Sequence, residues 1–199
     1  AAFDATSFKT AYLLKHYPAQ YYAAILNNQP MGYYPPRIIA NEARCKGILI
    51  LPPDINNSDR DFTVQEGNIR IGLKQVKGME NQCLDSIITA RKERPFSSPQ
   101  DFIWRCAVHR DIAENLIKCG ALDSLYSNRR QLLASLPIWL EKKKLIDQGQ
   151  PVLFENAVPS LLPDYSPKQK RIWEYSLLGM DIQAHFMAAL RSILKKQNI

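Results

Sequence analysis

Between Ile69 and Arg91 the chain reads IRIGLKQVKGMENQCLDSIITAR, two apolar stripes at helical spacing on either side of Gly78. Few folds satisfy that arrangement. Ile69, Leu73 and Val76 share one face before the glycine, and Leu84, Ile87 and Ile88 share one after it, so the spacing predicts two short helices packed on each other. Val76-Lys77-Gly78-Met79 is then the hairpin between them. Gly78 can adopt positive φ and leave backbone N–H groups uncovered, while Asn81 and Gln82 open a helix whose first N–H groups have no internal acceptor. Such a nest beside a helix N-terminus suits a phosphate oxygen. Lys77 adds a point charge, and Arg91, Lys92 and Arg94 are further phosphate partners. Contacts of this kind position a nucleic acid without reading its sequence. The same pattern is also met by an ordinary αα-hairpin in which Gly78 only ends a helix.

A second, looser copy follows. Ile112, Leu116 and Ile117 lead into Lys118-Cys119-Gly120-Ala121-Leu122, and Ser127-Asn128-Arg129-Arg130 opens a helix carrying Leu132, Leu133 and Leu136. Two such hairpins could grip successive phosphates of a duplex, with Gly120, Arg129 and Arg130 serving the second as Lys77, Gly78, Met79, Asn81 and Gln82 serve the first.

Five blocks, in order and spacing, carry a family resemblance: Tyr12-Leu13-Leu14-Lys15-His16-Tyr17-Pro18, Gln29-Pro30-Met31-Gly32-Tyr33-Tyr34, Leu51-Pro52-Pro53-Asp54-Ile55-Asn56, Ile71-Gly72-Leu73-Lys74-Gln75-Val76-Lys77-Gly78 and Cys119-Gly120-Ala121-Leu122-Asp123. Together they resemble the bacterial DNA polymerase III α subunit, a C-family polymerase, over its late fingers region and tandem helix-hairpin-helix domain. The Gln29-Pro30-Met31-Gly32 block leans toward the error-prone form, and Leu178-Gly179-Met180 with His185-Phe186-Met187 resembles the approach to that family's OB-fold. The resemblance implies a mainly α fold with a small β element. It divides the chain into a fingers-like end (1–30), a helix-hairpin-helix DNA-binding domain (31–126), a helix with an extended linker (127–165) and a helical arm (166–199). It further implies duplex primer–template DNA, the rest of a polymerase chain, and a sliding clamp or other replication or repair subunits as partners. No cofactor is expected for this chain itself, since the family's Mg²⁺ and catalytic carboxylates belong to a palm whose motifs are not found here. On that reading the chain is a fragment, without catalytic residues of its own. Two departures stand out: Glu80 occupies the place of the family's second hairpin glycine, and the spacing between Ser7-Phe8 and Tyr12 is shorter than the family pattern. A carboxylate so close to a phosphate site repels it unless it points away.

Elsewhere the pattern is helical and punctuated by proline. A helix over residues 8–27, interrupted at Pro18, would bury Leu13, Tyr17, Tyr21, Ala24 and Ile25, its aromatics serving packing. Pro35-Pro36 starts a helix that Gly47 stops, and Ile48–Leu51, Phe62–Val64 and Asn68–Ile71 form a small sheet with Glu66-Gly67 as a hairpin turn. Ser97-Ser98-Pro99 caps a helix containing Trp104, Leu132–Leu145 runs through Pro137, Lys142-Lys143-Lys144 is a solvated cluster, and residues 148–166 are an extended connection.

A net charge of +7 favours a polyanionic partner. Cys45, Cys83, Cys106 and Cys119 lack the C-x-x-C spacing of a zinc site and are expected as reduced core thiols of a cytoplasmic protein. No membrane-spanning run appears. His16, His109 and His185 carry no metalloprotease or hydrolase pattern, and Asp54, Asp59 and Asp61 read as Asx-turn chemistry. A protein-interaction module with purely structural hairpins remains the rival reading.

Overall fold

The computed structural model describes residues 2–149 and 162–182, and within them α-helices accompany one small three-stranded sheet. The mainly α expectation with a small β element is met. His185-Phe186-Met187 and most of the 148–166 connection lie outside the described residues.

The chain opens with α1 (Ala2–His16) and α2 (Pro18–Asn27), separated at Tyr17, where Pro18 restarts the helix. The backbone there leaves the helical region (φ −136, ψ 52), so the apolar phase resets. Ala19, Tyr22, Ala23 and Leu26 are buried; of the expected stripe Tyr21 and Ile25 pack half-buried against the core, Ala24 is exposed, and Leu13 and Tyr17 are 44% and 49% exposed. Phe8 and Tyr12 also face solvent and stack along the helix with His16, so these α1 aromatics do not pack into the core.

Helix α3 (Pro36–Cys45) begins at the proline pair and ends at Gly47, whose φ of +82 lets Ile48 N–H reach back to Ala43 O. Strands β1 (Ile50–Leu51), β2 (Thr63–Gln65) and β3 (Asn68–Arg70) follow in the order β1-β3-β2, with β1 parallel and β2 antiparallel to β3. Glu66 and Gly67 both have positive φ, the two-residue turn whose twist suits a hairpin. The remaining helices are α4 (Asn81–Glu93), α5 (Pro99–Arg105), α6 (Arg110–Lys118), α7 (Arg129–Asp147) and α8 (Pro167–Leu178). Ser98, Asn128 and Ser166 each cap a helix by accepting a backbone N–H, and Pro137 sits on the exposed side of α7 without ending it.

Leu84 and Ile87 of α4, Phe102 of α5 and Leu116 of α6 meet Ile69 and Leu73 in a continuous core. Each such buried side chain contributes roughly 1.5–3 kcal/mol, well above the ~0.3–0.5 kcal/mol of an exposed helix pair such as Arg110–Glu114. Two asparagines join distant segments as peptide groups would. Asn27 Nδ2 donates to Phe62 O (2.9 Å) and Phe62 N–H to Asn27 Oδ1 (2.7 Å). Asn56 pairs with Phe96 in the same way, 2.9 Å each. Asp54 Oδ1 accepts from the backbone of Asn56 and Asn57, the expected Asx turn. No helix among the described residues is long and apolar enough to cross a membrane.

Three carboxylates sit below their usual range. Burial alone would raise Asp101, but the Ser97 amide with Arg105 and Arg94 more than reverses it. Lys118, with Arg110, holds Glu114 down. For Asp164 the effect of burial is outweighed by Lys170 and two backbone amides. A depressed folded-state value adds stability above the unfolded carboxylate pKa of about 4, and that contribution is lost as pH falls through the folded values. The urea midpoint is therefore expected to drop from pH 6 to pH 3, and to drop less in Asp101→Asn, which starts lower.

Candidate nucleic-acid interface

The first hairpin is approached by a strand and not by a helix. Ile69 is paired with Ile50 on one side and Val64 on the other, Gly72 follows in extended backbone, and only Leu73–Gln75 turns, as a single 3₁₀ turn. Pairing on both strand edges overrides the helical spacing of Ile69, Leu73 and Val76. The apolar anchors are nevertheless the predicted ones: Leu73, Val76, Leu84 and Ile87 are all buried, and Ile88 is half-buried.

Val76 to Met79 form the turn. Gly78 has φ +81, Met79 N–H returns to Val76 O (3.0 Å), and Asn115 Nδ2 supports Lys77 O (3.0 Å). Glu80 is the N-cap residue of α4 but its side chain accepts no capping bond. Leu84 N–H is the first to donate into the helix, to Glu80 O, which leaves the amides of Asn81, Gln82 and Cys83 without helical acceptors. Lys77, Gly78, Glu80, Asn81 and Gln82 are exposed, and Met79 is half-buried against the core. The turn thus presents a glycine, a helix N-terminus and a lysine to solvent, together with one carboxylate.

Arg60 joins this group from the preceding loop, donating to Asn81 Oδ1 (2.8 Å) and pairing with Asp85. Nothing in the local sequence marked it, because it reaches α4 only through the sheet. Among the described residues no group of His, Cys, Asp and Glu side chains gathers in a way that could hold a metal ion.

Arg91 leaves the predicted phosphate set. Its side chain is only 13% exposed and donates to Ile55 O (3.2 Å), Ser58 O (2.6 Å) and Asp59 (3.0 Å), fastening α4 to the Asx loop. Arg94 pairs with Asp101 (3.0 Å), and Lys92 remains exposed. Lys143 is not merely part of a solvated cluster: its ammonium holds Trp104 O and Cys106 O, 2.9 Å each, at the C-terminal end of α5, where a cation is favoured.

The second hairpin is closed from within. Gly120 has φ +85 and is buried, its N–H donates to Ile117 O (3.1 Å), and Ala121 N–H donates to Leu116 O (2.9 Å). Arg129, 4% exposed, packs its guanidinium against Gly120 and spends its donors on Lys118 O (2.8 Å), both Asp123 oxygens (2.7 to 3.1 Å) and Glu174 (2.7 Å). Burial pushes the Glu174 carboxyl above its ordinary range against the pull of Arg129. The N-terminus of α7 is likewise occupied: Asn128 accepts from Gln131 N–H (3.0 Å) and Asp164 accepts from Arg130 N–H (3.4 Å). Gly120 and Arg129 are therefore buried parts of this joint, turned onto protein partners and away from solvent. Arg130 is exposed, its guanidinium above the Tyr165 ring.

Cys83, Cys106 and Cys119 are buried free thiols, Cys106 and Cys119 pushed up to about 12 by burial, whereas Cys45 is exposed. His16 and His109 are exposed, and His185 lies outside the described residues.

A family model described as a helix-hairpin-helix motif matches residues 47–132, which takes in both hairpins. An error-prone DNA polymerase of Symbiobacterium thermophilum is 35% identical over 99% of this chain and 22% of its own length. One from Ralstonia nicotianae is 33% identical over 98% of this chain and 19% of its own length. The DNA polymerase III subunit alpha of Bacillus subtilis is 32% identical over 98% of this chain and 19% of its own. The chain spans about a fifth of the length of the curated relatives it matches.

Proposed function

Because this chain belongs to the family of error-prone DNA polymerases and DNA polymerase III α subunits, we propose that it holds duplex primer–template DNA by its phosphates, without reading sequence. The open first hairpin carries this reading: Lys77, the Gly78 turn and the uncovered amides of Asn81 and Gln82 face solvent together. Lys92 and Arg130 add exposed charge, while the second hairpin is a structural joint that sets the frame. In this role the chain serves DNA synthesis in replication or error-prone repair, in the cytoplasm, beside the rest of a polymerase and its accessory subunits. Nucleotidyl transfer, with its Mg²⁺, falls to another part of such a polymerase. For the second hairpin, whose Arg129 is spent on Lys118 O, Asp123 and Glu174, contact with a neighbouring protein segment is the better reading.

Fluorescence anisotropy with a labelled primer–template duplex over a salt series tests the proposal. Binding is expected to fall steeply with salt and to be indifferent to sequence. Lys77→Glu is expected to weaken it roughly ten-fold at low salt and to lower the slope of log K against log salt by about one. Glu80→Lys is expected to do the reverse, since it exchanges a repelling charge at the helix N-terminus for an attracting one. A sequence-dependent loss in Lys77→Glu, or no duplex binding at low salt, would contradict the proposal.

A further inference from the structure

Helix α8 touches both hairpins. At its C-terminal end, where the last helix carbonyls lack internal donors, Leu177 O accepts the Lys77 N–H (2.9 Å) and Leu178 O accepts Gln75 Nε2 (2.8 Å). Gly179, with φ +70, ends the helix at that point, and Leu178, Met180 and Ile182 are buried. Farther up the helix, Glu174 is held by Arg129 inside the second hairpin (2.7 Å). At its start, Lys170 pairs with Asp164, the carboxylate that also accepts Arg130 N–H. Arg44 of α3 donates to the carbonyls of Asp181 and Ile182 just beyond it. One element from the far end of the chain is thus hydrogen-bonded into the turn that carries Lys77 and Gly78.

We propose that α8 is a positioning element of the DNA-holding hairpin, with Gln75 and Glu174 as its two fastenings. The inference rests on the duplex-holding reading above. The Lys77 N–H is given to α8, so the turn's backbone is fixed with its side chain and the α4 amides outward. Without α8 that N–H loses its acceptor and the turn loses the bond that sets its orientation. The coupling is reciprocal: whatever factor α8 docking adds to duplex affinity, bound duplex adds to α8 docking. Neither Gln75 nor Glu174 touches DNA in this scheme, and neither substitution need unfold the chain, since Gln75 is half-buried and glutamine at 174 still accepts from Arg129.

The test pairs anisotropy with hydrogen exchange on the whole chain. Gln75→Ala, which removes the bond to Leu178 O, and Glu174→Gln, which keeps the hydrogen bond to Arg129 but removes its charge, are each expected to weaken duplex binding roughly two- to ten-fold, while leaving the salt slope unchanged because no phosphate contact is removed. Duplex is expected to slow amide exchange in α8 as well as at residues 77–82, and the α8 effect is expected to shrink in Gln75→Ala. The proposal is overturned if both variants bind as the unsubstituted chain does, or if duplex protects residues 77–82 and leaves α8 unchanged. A chain that binds no duplex, or in which Lys77→Glu has no effect, would fail the underlying reading and this one with it. Normal Lys77→Glu behaviour with silent α8 variants would fail this one alone.

Discussion

Arg129→Ala is expected to lower the unfolding free energy by ~3–5 kcal/mol, the cost of breaking a buried ion pair from one side. The arginine is 4% exposed and Glu174 6%, so water cannot take over the work of the lost guanidinium. Lys118 O and the Gly120 turn lose their packing partner in the same step. Asp123 is the less affected partner, its side chain 36% exposed and able to hydrate. The penalty comes from the stranded Glu174 carboxylate and not from the worth of the pair, which gives a second arm to the experiment. Arg129→Met combined with Glu174→Leu removes both charges and is expected to recover most of the loss. Urea unfolding of the two variants beside the unsubstituted chain measures it. A single variant costing under about 1 kcal/mol would mean that the pair behaves as a surface one.

Gly72→Ala is expected to cost ~1–3 kcal/mol and to weaken duplex binding along with it. Backbone preference is not the reason, for Gly72 has φ −73 and ψ 151, which any residue adopts. The reason is space: a Cβ there would lie 2.6 Å from Arg60 O and from Asp61 O. The facing backbone cannot simply retreat, because Leu73 N–H is bonded to Asp59 O (2.9 Å) and Lys74 N–H to Arg60 O (3.0 Å). Relief of the clash displaces the 3₁₀ turn, and Lys77 begins two residues beyond it. Thermal unfolding and duplex anisotropy on the same preparation should fall together; a stable variant with full affinity would show that the two segments can separate freely.

Local chemistry made much of this fold legible. The proline pair and Gly47 bounded α3, Glu66-Gly67 set the hairpin, Ser98 capped α5, and Pro137 did not end α7. What failed did so where two local rules conflicted or where the deciding partner was distant. Ile69 to Val76 satisfies helical spacing, but strands on both sides claim Ile69 first. A stripe extrapolated through Pro18 is out of phase, because the residue before a proline is pushed out of the helical region. Glycine and helix-start chemistry picked out Lys77, Gly78, Asn81 and Gln82, which stand exposed together at the first turn. It did not show that Arg91 and Arg129 turn onto protein acceptors or that Arg60 reaches α4, since a cation's fate is set by its partner. Glu174 lies 45 residues from Arg129 and Ser58 lies 33 from Arg91.

The carboxamides of Asn27 and Asn56 make two joins of this fold depend on a single functional group. Each offers a donor and an acceptor to a phenylalanine peptide group, a match that only an amide makes. Deamidation to aspartate keeps the acceptor for Phe62 or Phe96 N–H and turns a second oxygen toward the carbonyl that had received a proton. One hydrolytic event that breaks no chain would therefore remove a hydrogen bond between α2 and the segment entering β2, or between the Asx loop and the approach to α5. A chain carrying aspartate at either position should therefore lose that join while its apolar core stays intact.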